Sequence, residues 1–234
     1  MERQETKVEK RAHSLDCLSH NLAGEIQRRL QQRQNQGVLV VGIGGYTSLG
    51  KTSLAERLVG HFNGDLTILP TDSFLLDRAR RQQLGTSGNN PRHIDFEGMV
   101  GTLRKLKSGE TTEVRSYDHT LGRYSATVKL CPAGIIILDG TSSLYPNIRG
   151  NVDLAVFLDA DEKILFSIAE IVHQARNYTE VEFEQFWRLF QCERKLFIEP
   201  TKRTVDHVVG VANGWFYSTE LINRCQRMGC SDIF

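Results

Sequence analysis

Five short apolar runs punctuate the chain, and between them the apolar positions fall into a rhythm of three or four residues. The runs are Val38–Gly42, Leu66–Leu69, Gly134–Leu138, Asp153–Leu158 and Asp206–Val211. Each is rich in β-branched residues and shows no alternation, the pattern of a parallel strand covered on both faces. The segments 51–61, 96–108, 162–176 and 180–197 carry helical periodicity. Strands alternating with helices predict an α/β fold, a doubly wound parallel sheet of about five strands with helices on both faces. Ahead of it, Leu15, Leu18, Leu22, Ile26 and Leu30 recur at helical spacing behind Ser14, a capping residue type, and Gln36-Gly37 ends the stretch. Residues 1–37 therefore read as an N-terminal helical extension that packs on a main domain over 38–234. The stripe Phe183, Phe186, Trp187 and Phe190 is also helically spaced and reads as core.

Composition narrows the class. Charged residues make up 24% and apolar residues 40% of the 234, which excludes a disordered or fibrous chain. The 29 basic and 28 acidic residues leave a net charge of +1, so no bulk electrostatic drive toward nucleic acid or an anionic membrane exists. No apolar run reaches the roughly 18 residues of a membrane span. The first residues, MERQETKVEKR, are too charged for a signal peptide. Five cysteines, none in a CxxC pair, suit a reducing compartment better than a disulfide framework or a zinc site. The expected location is cytoplasmic.

In doubly wound sheets ligands bind beyond the carboxyl ends of the strands, so the residues that follow each strand are the candidates. After the first strand comes Gly45-Tyr46-Thr47-Ser48-Leu49-Gly50-Lys51-Thr52-Ser53, which matches GxxxxGK[ST] at every fixed position. Its glycines let backbone N–H groups converge on phosphate oxygens, and the helix beginning near Lys51 adds its partial positive charge. Lys51 is placed to reach the β- and γ-phosphates, and the Thr52 hydroxyl to ligate Mg²⁺. Asp72 follows the second strand on the same edge, where a carboxylate can accept a proton from an attacking hydroxyl, help hold a metal, or simply cap the next helix. Asp139 ends the run Ile135–Leu138, a Walker-B-like placement facing magnesium, or a turn residue before Gly140. Thr52, Asp72 and Asp139 would then converge on one ion.

With these residues in view, the chain resembles the uridine kinase and phosphoribulokinase group of P-loop small-molecule kinases from about Val38 to Val211. Thr71-Asp72-Ser73-Phe74 is similar to the group's DSFY segment, whose aspartate is the general base. Ser116-Tyr117-Asp118-His119-Thr120-Leu121-Gly122-Arg123 resembles the substrate segments of both branches, and Asp139-Gly140 stands where the group has Glu-Gly. Glu184-Gln185-Phe186, Phe197-Ile198-Glu199-Pro200-Thr201-Lys202 and Val205-Asp206 follow the uridine kinase pattern. The resemblance implies ATP and Mg²⁺ as cofactors, Asp72, Lys51 and Arg176 as catalytic residues, and Asp95, Tyr117, His119, Arg123 and Gln185 on the substrate. It allows a homo-oligomer. Segments near 76–95 and 165–185 become the walls of the site.

Two departures stand out. The group's HPDAFD segment is replaced by Asn90–Glu97, in which only Asp95 and its surroundings align. The arginine-rich lid run is replaced by Leu165–Glu170, leaving Arg176 as the later lid arginine. Arg78, Arg80, Arg81, Arg92 and Arg123 could substitute or bind an anionic acceptor, with Arg80 and Arg81 read as solvated. The reading is an ATP- and Mg²⁺-dependent kinase acting on a small-molecule hydroxyl, first a nucleoside, second a sugar phosphate or vitamin-like alcohol. A nucleotide-binding regulator of the same fold is the alternative. A GTPase is disfavoured by the lack of NKxD and DxxG motifs.

Overall fold

The computed structural model describes residues 14–34, 37–176, 179–212 and 215–217. Ser14 caps the first helix, Leu15–Gln32 (α1), by accepting from the Cys17 amide. Strand Leu39–Gly45 (β1) follows, then helix Lys51–Val59 (α2) and strand Leu66–Pro70 (β2). The short helix Arg78–Gln83 (α3) and helix Phe96–Lys107 (α4) lead to a hairpin of Thr112–Asp118 (β3) and Arg123–Leu130 (β4). Next come strand Ile135–Asp139 (β5), helix Pro146–Arg149 (α5) and strand Leu154–Asp159 (β6). Helices Glu162–Arg176 (α6) and Glu180–Glu193 (α7) precede strands His207–Ala212 (β7) and Trp215–Tyr217 (β8).

The sheet order is β2-β5-β1-β6-β7-β8, with five parallel strands and β8 antiparallel at the edge. The five parallel strands are the five apolar runs. Every residue of β1 and β5 is buried, as helices on both faces require. Helix α1 joins the same core: Leu18, Leu22, Ala23 and Ile26 are buried against α2 and the sheet.

Polar clamps secure the sheet edge opposite the expected ligand edge. Asp153 Oδ2 accepts from the Val40 amide and Asp206 Oδ2 from the Ala155 amide, each at 2.8 Å. Arg29 of α1 donates to Asp153 O at 2.5 Å and Asp206 Oδ1 at 2.6 Å, while Arg33 reaches Asp153 Oδ1 at 2.5 Å. One helix thus ties the beginnings of β1, β6 and β7 together. Burial opposes ionisation of Asp206, but the Ala155 amide and the Arg29 guanidinium outweigh it and hold the carboxyl below its ordinary range.

Three features differ from the sequence reading. The hairpin β3–β4 leaves the main sheet between α4 and β5, and its mostly exposed outer strand gave no apolar run to find. The helix expected over 180–197 stops at Glu193 and continues as a π-helical turn over Arg194–Ile198. Of the aromatic stripe Phe190 is buried in the core and Trp187 packs against it, while Phe183 and Trp187 also meet Phe166 at 5.7 and 5.1 Å between ring centres, joining α7 to α6. Among the described residues no helix is long and apolar enough to cross a membrane.

A group whose folded pKa is depressed stabilises the fold above its unfolded pKa and loses that contribution as pH falls through the folded value. Asp206→Asn is therefore expected to lower the unfolding free energy by about 1–3 kcal/mol near neutrality, the range for hydrogen bonds to charged groups. The gap between variant and wild type should narrow below about pH 4, the ordinary aspartate range, in urea titrations run across pH.

Candidate active site

β1 lies between β5 and β6 and is reached by chain crossing on either side, so the loop leaving it sits at the point where strand order reverses. Gly45 leaves the strand at φ +118, and an added Cβ would stand 2.1 Å from Leu158 O; the Tyr46 amide donates to that same oxygen at 3.2 Å. Only glycine allows this approach to β6. Ser48 (φ +61) and Gly50 (φ +85) are left-handed, the conformation that curls a loop so that its N–H groups converge. Leu49 and the Tyr46 ring are buried and anchor the loop, the ring edge-on to Phe157 at 5.5 Å. Thr47, Ser48, Thr52 and Ser53 remain exposed.

Lys51 opens α2 and is buried, its Nζ donating to Tyr46 O at 2.5 Å. Burial pushes its pKa down to about 8, against the opposing pull of Asp139 and then Asp72. The ammonium is held over the loop, with both strand-end carboxylates within electrostatic range.

Asp139 ends β5 beside Ile43 of β1. Its Oδ2 accepts from Thr52 Oγ1 at 2.7 Å, while its Oδ1 is buried without a hydrogen-bond partner. Burial raises its pKa, opposed by Thr52 and Lys51. Asp72 lies in the 3-10 turn Thr71–Phe74 that follows β2, brought alongside by the Pro70–Asp139 register pair. Gly140 (φ +139) makes that approach feasible, since a Cβ there would lie 2.0 Å from Thr71 Oγ1. Among the described residues no three His, Cys, Asp or Glu side chains stand together as a metal-binding group. The Thr52 hydroxyl and the open Asp139 oxygen nevertheless fit magnesium, which takes few hard oxygen ligands from protein and the rest from phosphate and water. Asp72 lies near enough to this pair to help raise the Asp139 pKa, and its Oδ2 lies 3.2 Å from His119 Nε2.

The hairpin delivers His119. Tyr124 on β4 donates to Ser73 O at 3.2 Å and to Leu75 O, docking the hairpin on the turn that bears Asp72. The Tyr117 hydroxyl donates to Gly122 O at 2.9 Å and accepts from Arg81 at 2.7 Å. The Arg78 amide donates to Gly122 O at 2.8 Å, and its side chain donates to His119 O and Thr120 O. Arg81 corrects the sequence reading: it is buried, its Nε donating to Leu76 O at 2.7 Å, because its side chain turns from the mostly exposed α3 toward Tyr117 of the hairpin. Arg80 is exposed as expected.

The other expected substrate residues have different surroundings: the Asp95 amide donates to Phe74 O at 2.9 Å, in the turn that bears Asp72, and Arg123 pairs with Asp118 in the hairpin register. The Asp95 carboxylate caps α4, accepting from the Gly98 amide at 2.8 Å, a structural use that the spacing Asp95-x-x-Gly98 ahead of a helix could have signalled. Arg123 is exposed on the hairpin and Gln185 on α7. The Arg176 side chain lies outside the described residues.

A cavity of about 600 Å³ opens at the carboxyl ends of β6 and β7, beside the phosphate loop. Tyr46, Asp159, Arg194, Glu199, Lys202 and Val211 contribute to its walls. The sequence pointed to Glu199 and Lys202 through the Phe197–Lys202 segment but not to Arg194, whose neighbours read as ordinary helix.

The sequence profile described as the phosphoribulokinase / uridine kinase family matches residues 40–213. A uridine kinase of Macrococcus caseolyticus is 27% identical over 180 residues, covering 73% of this chain and 86% of the relative. One from Streptococcus agalactiae is 27% identical over 195 residues, covering 79% and 92%. In fold, the chain is similar to a D-glycerate 3-kinase from Cryptococcus neoformans, with a TM-score of 0.64 at 16% identity over 86% of this chain and 99% of that one.

Gly140→Ala is expected to push β5 and β2 apart at the ends that carry Asp139 and Asp72, because the new Cβ meets Thr71 and the φ is left-handed. The expected result is a loss of about 1–3 kcal/mol in denaturant unfolding, the cost of one strained residue. Nucleotide affinity should fall with it, whereas Gly101→Ala, in open space inside α4, should leave affinity unchanged and raise stability by about 0.5–1 kcal/mol.

Proposed function

The chain belongs to the phosphoribulokinase/uridine kinase family, and from that premise we propose that it transfers the γ-phosphate of ATP, with Mg²⁺, to a hydroxyl of a nucleoside of the uridine or cytidine type. The coarser statement, a kinase of this family acting on a small molecule, rests on the family match and on the curated uridine kinases. Transfer of the γ-phosphate is supported by one observation: the 45–53 loop, Lys51, the Thr52–Asp139 pair with its open oxygen, and Asp72 all meet at one sheet edge.

In this reading the loop amides and Lys51 bind the phosphates, and Thr52 and Asp139 hold the metal. When bound, the metal neutralises charge on the β- and γ-phosphate oxygens. Asp72 accepts the proton of the attacking hydroxyl, and His119 orients its carboxylate. Positioning and electrostatics supply the rate. Tyr117 and Arg123 face the acceptor from the hairpin. The homologous uridine kinases favour a nucleoside over a sugar phosphate or vitamin-like alcohol.

One observation favours a second reading, a nucleotide-binding regulator with weak transfer. Helix α6 carries no arginine before Arg176, and an arginine on the transferring phosphoryl group is worth several orders of magnitude in rate.

ADP release with Mg-ATP across a panel of nucleosides, sugar phosphates and pantothenate-like alcohols separates the two. Release stimulated by uridine or cytidine, cut about 10²–10⁴-fold in Asp72→Asn while ATP affinity stays within twofold, is the expected outcome. Measurable ATP binding with no stimulation by any acceptor would replace the kinase by the regulator.

A further inference from the structure

Glu193 and Arg194 are adjacent in sequence, charged, and only 3% and 4% exposed. Burying two charges at one helix end is costly unless each is held by partners. The α-helix gives way to a π-helical turn at this junction, an irregularity that recurs at functional sites. The two side chains also serve opposite sides of the site.

Glu193 holds the acceptor side. Its carboxylate accepts from the Ser87 amide at 3.2 and 3.3 Å and from the Ser87 hydroxyl. Ser87 lies in the link between α3, which carries Arg81, and the Pro91–His93 turn. The same link is braced at Asn89 O by the Tyr145 hydroxyl at 2.7 Å and at Thr86 by His93 at 2.8 Å. Glu193 is therefore the contact through which α7 grips the wall that ends under Tyr117 and His119.

Arg194 faces the cavity beside the phosphate loop. Its Nη2 donates to Glu162, the first residue of α6, at 3.3 Å, and its guanidinium lies 5.5 Å from the Tyr46 ring centre. Its Nε is 3.4 Å from Glu199 Oε1 but makes no hydrogen bond, leaving a buried donor unsatisfied. Such donors are rare and costly, and an acceptor that enters the cavity would satisfy this one. The cavity bears Asp159, Asp161, Glu162 and Glu199 against Arg194 and Lys202. That excess of carboxylates suits the hydroxyl- and amine-bearing nucleoside end of a nucleotide better than its phosphates.

We propose that Glu193 and Arg194 are paired positioning residues that couple the two halves of the site: a donor nucleotide in the cavity fixes Arg194, and Glu193, one residue away, then holds the 84–90 link closed on the acceptor side. The inference rests on the kinase reading above. Donor occupancy then tightens an acceptor wall that the Glu193–Ser87 bonds already form. The coupling is one of ordering, readable as local protection of backbone amides.

Hydrogen exchange of peptides covering 84–90, with and without saturating Mg²⁺ and a non-hydrolysable ATP analogue, tests it, with binding followed by calorimetry. In wild type, exchange there should slow at least about fivefold on nucleotide binding. Glu193→Gln should exchange fast in both states. Arg194→Ala should lose the nucleotide response, and Arg194→Lys should recover part of it, which a merely structural role would not produce. Should Arg194→Ala not fold, Arg194→Gln makes the same comparison. Nucleotide binding by wild type without slower exchange at 84–90, or an Arg194→Ala response equal to wild type, overturns the coupling and leaves the kinase reading standing. No nucleotide binding by wild type overturns both.

Discussion

Everything at the functional edge of this molecule depends on keeping one ammonium charged where water is scarce. Lys51 is buried, and burial pulls its pKa down to about 8. Tyr46 O accepts directly from its Nζ, while Asp139 and Asp72 oppose the desolvation through space. These three groups lie at the ends of β1, β5 and β2, so the surroundings of the lysine depend on the register of those strands. The requirement explains the glycines at the strand exits. Gly45 lets the loop pass against Leu158 of β6, and Gly140 lets β5 pass against Thr71. A side chain at either position would separate the groups that the charge needs.

The opposite edge of the sheet solves a different problem. There the strand beginnings are fixed by carboxylates that accept strand amides, Asp153 for β1 and Asp206 for β6, and α1 neutralises them through Arg33 and Arg29 respectively. The charges that stabilise the fold are kept away from those proposed for transfer. The functional edge is thereby left free to hold an unsatisfied group, the Asp139 Oδ1, that a purely structural edge would have paired.

The strands were legible because parallel strands buried on both faces must be continuously apolar, and Val38–Gly42 and Gly134–Leu138 are. The phosphate loop was legible because its geometry demands glycine and lysine at fixed spacing. Asp139 was legible from its place after an apolar run, whereas its bond to Thr52 is a tertiary fact. The hairpin was not: β4 is mostly exposed, so no apolar pattern marks it, and its tyrosines act through hydroxyl bonds to distant backbone. Arg81 misled for a related reason. An arginine among arginines reads as solvated, and only its contacts with Tyr117 and Leu76 bury it. Glu193 and Arg194 carried no sequence signal, since their partners Ser87, Glu162 and Glu199 are distant, near only in space or hidden by an unexpected π-helical turn.

The central claim is that the loop 45–53 with Lys51 is a preassembled cradle for a nucleotide's phosphates. Calorimetric titration with ATP, with and without Mg²⁺, on wild type and Lys51→Ala tests it most directly. The account predicts saturable binding by wild type that is tighter with Mg²⁺. Lys51→Ala should weaken it about 10–100-fold, as loss of a charge-assisted contact implies. Equal affinity in the two proteins, or no binding by either, would contradict it.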